Sequence, residues 1–260
     1  MKTASEFKVG NFSFVEAQCE RLKEETYRLR YQVYAEEFHF EKVEDYPLGQ
    51  ESDQFEPHSL HFAALNEHNT VIGTIRLILP SGAGFPIARL VPARCLSDGG
   101  RRVETAGEIS RLAVSKRYRR RQEDGLFGVE SYLMQSEGGV LQDSVPAPPH
   151  HERRARPVIL LGLFRIMYYA SKRHNVDQWY MVSEEKLFYA LRKYGFTFHP
   201  IGKPAEYHGL RVPYHAFIEE IERELYRTKR EIFELMIRDL EEEYRPRFLS
   251  RIDNPGSAVR

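Results

Sequence analysis

The chain has 260 residues, 42% of them hydrophobic and 29% charged, with Lys+Arg and Asp+Glu equal at 38 each. That length supports a sizeable buried core, and the balanced charge gives no general attraction to nucleic acid. Two cysteines, Cys19 and Cys95, predict reduced thiols in a cytoplasmic protein rather than a disulfide framework. Met1–Gly10 lacks a signal-peptide apolar run, and no window reaches 18 apolar residues, so no transmembrane helix is expected.

Residues 11–40 read as an amphipathic helical region, with Arg30, Tyr34 and Phe38 forming an i, i+4, i+8 stripe. An arginine on such a stripe more often snorkels along the apolar face than serves a site. Residues 41–57 are acidic, contain Pro47, Gly49 and Pro57, and predict a loop carrying Glu51-Ser52-Asp53-Gln54-Phe55-Glu56. Ser59–Leu65 and Val71–Leu79 predict a hairpin. Arg76 lies inside its second strand among apolar neighbours and calls for a carboxylate partner. Residues 80–107 read as irregular, with a helical turn near 91–97.

The strand 108–115 follows, Glu108-Ile109-Ser110-Arg111-Leu112-Ala113-Val114-Ser115. Strict alternation puts Glu108, Ser110, Leu112 and Val114 on one face and Ile109, Arg111, Ala113 and Ser115 on the other. A carboxylate, a hydroxyl and a guanidinium at the start of a central strand suit either general-base chemistry on an amine or a structural ion pair. The run Lys116-Arg117-Tyr118-Arg119-Arg120-Arg121 is a solvated turn or a site for phosphates or an acidic protein. No Gly-x-Gly turn accompanies it, which favours a protein-tethered pantetheine over a nucleotide cofactor held by its pyrophosphate.

Residues 121–156 read as an inserted loop with a short helix near 126–136. A strongly apolar helix begins at Val158 and ends near His174. It is followed by a strand at 178–182, a helix over 184–194 capped by Ser183 and stopped by Gly195, and strands at 196–201 and 211–216. Residues 217–244 predict one long charged helix with a narrow apolar stripe, either a dimer seam or a helix packed on its own domain. The whole is α/β, one mixed sheet flanked by helices, with the unit 108–182 a parallel crossover. The predicted division is one α/β domain over 1–216 and a C-terminal helical extension over 217–260. No histidine or cysteine spacing resembles a metal site.

Four short motifs occur in order: Arg30-x-x-Val33, Asp53-x-x-Glu56, Gly73-Thr74-x-Arg76-Leu77 and Glu108-x-Ser110-Arg111. Over residues 15–216 the pattern resembles acyl-homoserine-lactone synthases. It is more similar to N-acyl amino acid synthases and to acyltransferases associated with the PEP-CTERM/exosortase system, all of the GNAT fold.

The resemblance implies an acyl-phosphopantetheine thioester as co-substrate, on acyl carrier protein or coenzyme A, with no tightly bound cofactor and a small amine acceptor. It implies Glu108, Ser110 and Arg111 at the transfer centre. Arg30, Phe38, Phe40, Asp53, Glu56 and Arg76 would form the acceptor and acyl-site network. Backbone groups of Leu112, Ala113 and Val114 would face the thioester. Lys116, Arg117, Arg119, Arg120 and Arg121 would meet the acidic carrier protein, and a lipid product allows peripheral contact with a membrane. Phe38 and Phe40 stand where lactone synthases favour a tryptophan, and Glu56 where they carry an aspartate. These departures favour an amino acid or another amine over S-adenosylmethionine. A non-catalytic acyl-binding or carrier-docking module is the alternative of another class.

Overall fold

A computed structural model describes residues 6–118, 150–207 and 209–253. The chain opens with a hairpin. β1 (Glu6–Val9) and β2 (Phe12–Glu16) pair antiparallel across a two-residue turn, where Gly10 takes a φ of +57°. The expected helix over 11–40 therefore starts later, at α1 (Glu20–Tyr31), and continues as a π-helical segment over Gln32–Glu37. The period-2 run Phe12-Ser13-Phe14 decides the first part: Phe14 is fully buried and stacks on Phe7.

β3 (Ser59–Leu65) and β4 (Val71–Ile78) form the expected hairpin. Between β4 and the next strand lie only short turns and α2 (Arg94–Ser97). β5 (Ala106–Val114) pairs antiparallel with β4 and parallel with β6 (Gln178–Ser183). The crossover between them contains α3 (His150–Arg173), which begins eight residues before the expected Val158. α4 (Glu185–Lys193) follows β6. Its N-cap is Glu184 without a side-chain cap bond; Ser183 closes β6 and does not cap the helix. The pair β7 (His199–Pro200) and β8 (Ala205–Glu206) flank β9 (Leu210–Phe217), and the sheet runs β1-β2-β3-β4-β5-β6-β9-β7, with β8 also on β9.

The predicted long helix 217–244 is broken. α5 (Ile218–Thr228) and α6 (Arg230–Ile237) meet at Lys229, whose backbone leaves the helical region (φ −139°, ψ 57°), and a single 3-10 turn and α7 (Arg247–Asp253) follow. The break lets both helices turn an apolar side inward: Ile221, Leu225, Phe233 and Met236 are all buried.

The two sheet faces are covered differently. Phe62, Ala64 and Ile72 join α3 and the C-terminal helices in the large core. Ala63 and Ala113 on the opposite face meet Leu29 and Val33 of the α1 region. A third cluster packs the 80–105 segment, through Phe85, Ile87 and Leu96, against Ile78 and Tyr180. α1 and the 80–105 segment thus flank the part of β5 that carries the charges.

Candidate active site

The strict alternation expected for β5 fails at Arg111. Thr74 faces Ala113 and Arg76 faces Ser110, so β5 carries one more residue than β4 between these pairs. Arg111 absorbs it with a φ of +50°. A bulge of this kind shifts the side-chain phase by one. Ile109, Leu112 and Val114 consequently share the apolar core face. Ser110 and Arg111, which alternation would separate, both reach the polar network on the other face. A left-handed non-glycine residue costs on the order of 1–3 kcal/mol, and such strain concentrates at functional sites.

That network joins three arginines and the acidic loop. Arg30 on α1 is fully buried and bonds Glu51 and Glu56, the latter at 2.7 Å. It is clamped and does not snorkel. Arg76 grips Asp53 through both terminal nitrogens at 2.7 and 2.9 Å, reaches Glu56 at 2.7 Å, and donates from Nε to Ser110 Oγ at 2.9 Å. The expectation that Arg76 takes a carboxylate holds, twice over. Arg111 holds Glu51 at 2.9 Å and Asp53 at 3.3 Å. Burial pushes all three acids up, but the arginines outweigh it at Glu51 and Asp53, and the hydrogen bond to His61 together with Arg30 and Arg76 does so at Glu56, so all three stay below the usual carboxylate range.

Glu108 differs. It is buried, its Oε2 accepts a hydrogen bond from the Ile87 N–H at 2.9 Å, and no arginine among the described residues bonds to it. Burial dominates over that bond and raises its pKa to about 8.

β5 and β6 pair only from Ala106↔Gln178 to Ile109↔Met181. Beyond Ile109 the β6-side edge of β5 has no strand partner among the described residues, and a cavity of about 450 Å³ opens there. Glu108, Ser110, Arg111, Asp53 and Arg76 line it on the polar side; Leu112, Phe164, Met181 and Leu187 line it on the apolar side. Tyr34 donates to the Leu112 carbonyl at 2.8 Å, and the Arg111 guanidinium lies over the Tyr34 ring. Phe40 faces the cavity while Phe38 stacks behind it, ring centroids 5.5 Å apart. Arg30 and Glu56 stand one layer back. Ala113 and Val114 pair with Thr74 and Gly73, and Lys116 and Arg117 are exposed beyond the end of β5. Arg119, Arg120, Arg121 and the expected helix near 126–136 lie outside the described residues.

Glu51, Glu41, Tyr34 and Ile87 escaped the sequence reading as site residues. For Glu51 a signal exists: three arginines drawn into the interior of the site need more acids than Asp53 and Glu56 supply, and Glu51 is in the same loop. Ile87 contributes through its backbone, which no side-chain pattern marks.

Comparison with known proteins bears on this geometry. Residues 29–127 match the family model of the acetyltransferase (GNAT) domain, a stretch that runs from the end of α1 through β5. The fold is GNAT-like. Among solved structures, TofI in a ternary complex with an inhibitor and MTA is similar over 90% of this chain and 100% of its own, at 15% identity and a TM-score of 0.56. BjaI, a CoA-dependent acyl-homoserine lactone synthase solved with SAM and isopentyl-CoA, is similar over 86% of each chain, at 18% identity and a TM-score of 0.53. FeeM, an N-acyl amino acid synthase from uncultured soil microbes, is similar over 82% of this chain and 94% of its own, at 15% identity and a TM-score of 0.50. At these identities the likeness speaks for the fold. Among curated proteins none matches this sequence.

Proposed function

We propose that the protein is an N-acyltransferase that moves a long-chain acyl group from a thioester of acyl carrier protein or coenzyme A to the amine of an amino acid. The observation that carries the reading is the unpaired edge of β5, opening a half-apolar cavity directly beside a buried carboxyl with a pKa near 8. The GNAT-domain match and the likeness to FeeM and BjaI support the same chemistry. So does the sequence resemblance to the acyltransferases associated with the exosortase system.

The amine nitrogen attacks the thioester carbonyl; a C–N bond forms and the C–S bond breaks. Glu108, in its ionised form, accepts the proton the nitrogen loses, directly or through a water, and the departing sulfur takes up a proton to leave as the pantetheine thiol. A base with a pKa near the working pH is well matched to this step. Arg76 and Arg111 are charge-neutralised by Asp53, Glu51 and Glu56, so they act as a rigid wall that holds Ser110 and the bulge in place. The unpaired backbone edge beside Leu112 offers polar groups toward the developing oxyanion.

The test is incubation of the purified protein with acyl-carrier protein and acyl-coenzyme A in parallel, against a panel of amino acids and S-adenosylmethionine, with products read by mass spectrometry. The reading expects N-acyl amino acids, and a loss of about 10²–10⁴-fold in kcat/KM for Glu108→Gln. Acyl-homoserine lactone from S-adenosylmethionine would make it a lactone synthase, the reading that BjaI with SAM favours. Turnover unchanged in Glu108→Gln would remove Glu108 as the base.

A further inference from the structure

The cavity has four arginines on its lining: Arg76, Arg89, Arg111 and Arg211. Three are neutralised. Arg76 and Arg111 hold the loop acids, and Arg211 pairs with Glu184 at 2.7 Å while lying over the Phe40 ring. Arg89 has no acidic partner among the described residues and is exposed at the cavity rim. A guanidinium without an acidic partner on the lining of a cavity is a ready receptor for a carboxylate, which it meets with two parallel hydrogen bonds.

Its position is set by the proposed base. Arg89 ends the 3-10 turn Pro86–Arg89, and the turn's own Ile87 N–H is the donor to Glu108 Oε2. Ile87 is fully buried and Phe85 nearly so, which fixes the turn against β5. Arg89 thus follows by two residues the backbone donor to Glu108, and Arg89 and Glu108 line the same cavity. An α-amino acid carries its amine and its carboxylate on one carbon, and so can turn the amine to Glu108 and the carboxylate to the arginine on the same cavity lining.

We propose that Arg89 receives the α-carboxylate of the acceptor and thereby selects amino acids over amines that lack a carboxylate. The inference rests on the acyltransfer reading above.

The experiment compares matched pairs, L-phenylalanine with phenethylamine and L-leucine with isoamylamine, using wild type, Arg89→Ala and Arg89→Lys and whichever thioester donor turns over. Loss of one charged hydrogen-bonded contact predicts about 10- to 100-fold lower kcat/KM for the amino acids in Arg89→Ala. The change should appear mainly in KM, with the decarboxylated amines within about twofold by the same reasoning. Arg89→Lys should restore part of the loss, and the KM for the donor should stay put.

Equal losses for both members of a pair would overturn the proposal. So would a raised donor KM with unchanged amino acid KM, which would assign the guanidinium to a donor phosphate. Wild type that acylates the amines but no amino acid would overturn the role of Arg89 and leave acyltransfer standing. Wild type that acylates neither would overturn both.

Discussion

At the scale of single residues, the site separates two kinds of buried acid. Glu51, Asp53 and Glu56 are held ionised by Arg30, Arg76 and Arg111, with His61 on Glu56, whereas Glu108, without such a partner among the described residues, is held neutral until about pH 8. Their effects on stability have opposite signs. The three loop acids stabilise the fold above their ordinary values and lose that contribution as the pH falls through their lowered folded-state values. Glu108 releases its proton near 4.5 when unfolded and near 8 when folded. Between those values the folded state holds the extra proton, so rising pH favours unfolding, by about 1.4 kcal/mol per unit at most. Glu108→Gln should therefore leave the Tm nearly unchanged at pH 5 and raise it relative to wild type at pH 8; thermal melts across that range decide it, and a Tm gap that does not grow with pH would place the proton elsewhere. Removing one charge from the clamp acts the other way. Arg30→Met leaves Glu51 and Glu56 in the interior without that cation and should cost about 3–5 kcal/mol in denaturant unfolding. A cost under about 1 kcal/mol, the range of an exposed pair, would mean that the clamp is solvated.

At the scale of elements, the helices and strands that hold the site were legible where one period dominates. The hairpin β3–β4, the strand β6 and the helix α4 follow from their apolar runs and the stop at Gly195. Two features were not. Phe12 and Phe14 alternate over only three residues, a run too short to stand out from the helical spacing of 11–40 before pairing with β1 and β3 makes β2 a strand. The bulge at Arg111 is set by pairing with β4, where one residue more on β5 is absorbed, and alternation cannot show which residue takes the left-handed conformation. The charged motifs were therefore found in the sequence and their gathering into one network was implied by the family resemblance, but strict alternation put Ser110 and Arg111 on opposite faces where the bulge brings both to the network. Packing between β2 and α3 gives a separate test. A methyl on Gly162 would overlap the Phe14 ring, which is fully buried and stacked on Phe7. Gly162→Ala forces that ring to move and should destabilise by about 1–3 kcal/mol in spite of alanine's better helix propensity. Gly162→Ala with Phe14→Leu should recover part of the loss in a double-mutant cycle, and strictly additive costs would place the strain elsewhere.

At the scale of the molecule, the question is whether residues beyond 216 form an extension on a domain that stands alone. Ile218, Ile221, Leu225, Phe233, Met236, Leu240 and Phe248 belong to the same buried cluster as α3 and the sheet. Polar contacts reinforce the seam: Tyr168 donates to Glu222 at 2.7 Å, Lys172 reaches the same oxygen at 2.9 Å, and the buried Arg165 pairs with Asp239. Burying an apolar side chain contributes about 1.5–3 kcal/mol, so seven of them amount to a gross gain on the order of 10–20 kcal/mol. Ordering the helices offsets much of that. A fragment of residues 1–216 loses the gain and also exposes the apolar face of α3, Trp179 and the carboxylate-seeking Lys172 and Arg165. Since whole domains are stable by only about 5–15 kcal/mol, the fragment should lack a cooperative melt and bind a hydrophobic dye. The cavity depends on the same core, because Phe164 packs against Trp179 and Phe196 on one side and lines the cavity on the other. Truncation should then abolish acyl transfer even though no described residue after 216 lines the cavity. A fragment that melts cooperatively within about 2 kcal/mol of the full chain, a small part of ordinary domain stability, and retains turnover would show that the C-terminal helices are an addition to the fold and not a part of its core.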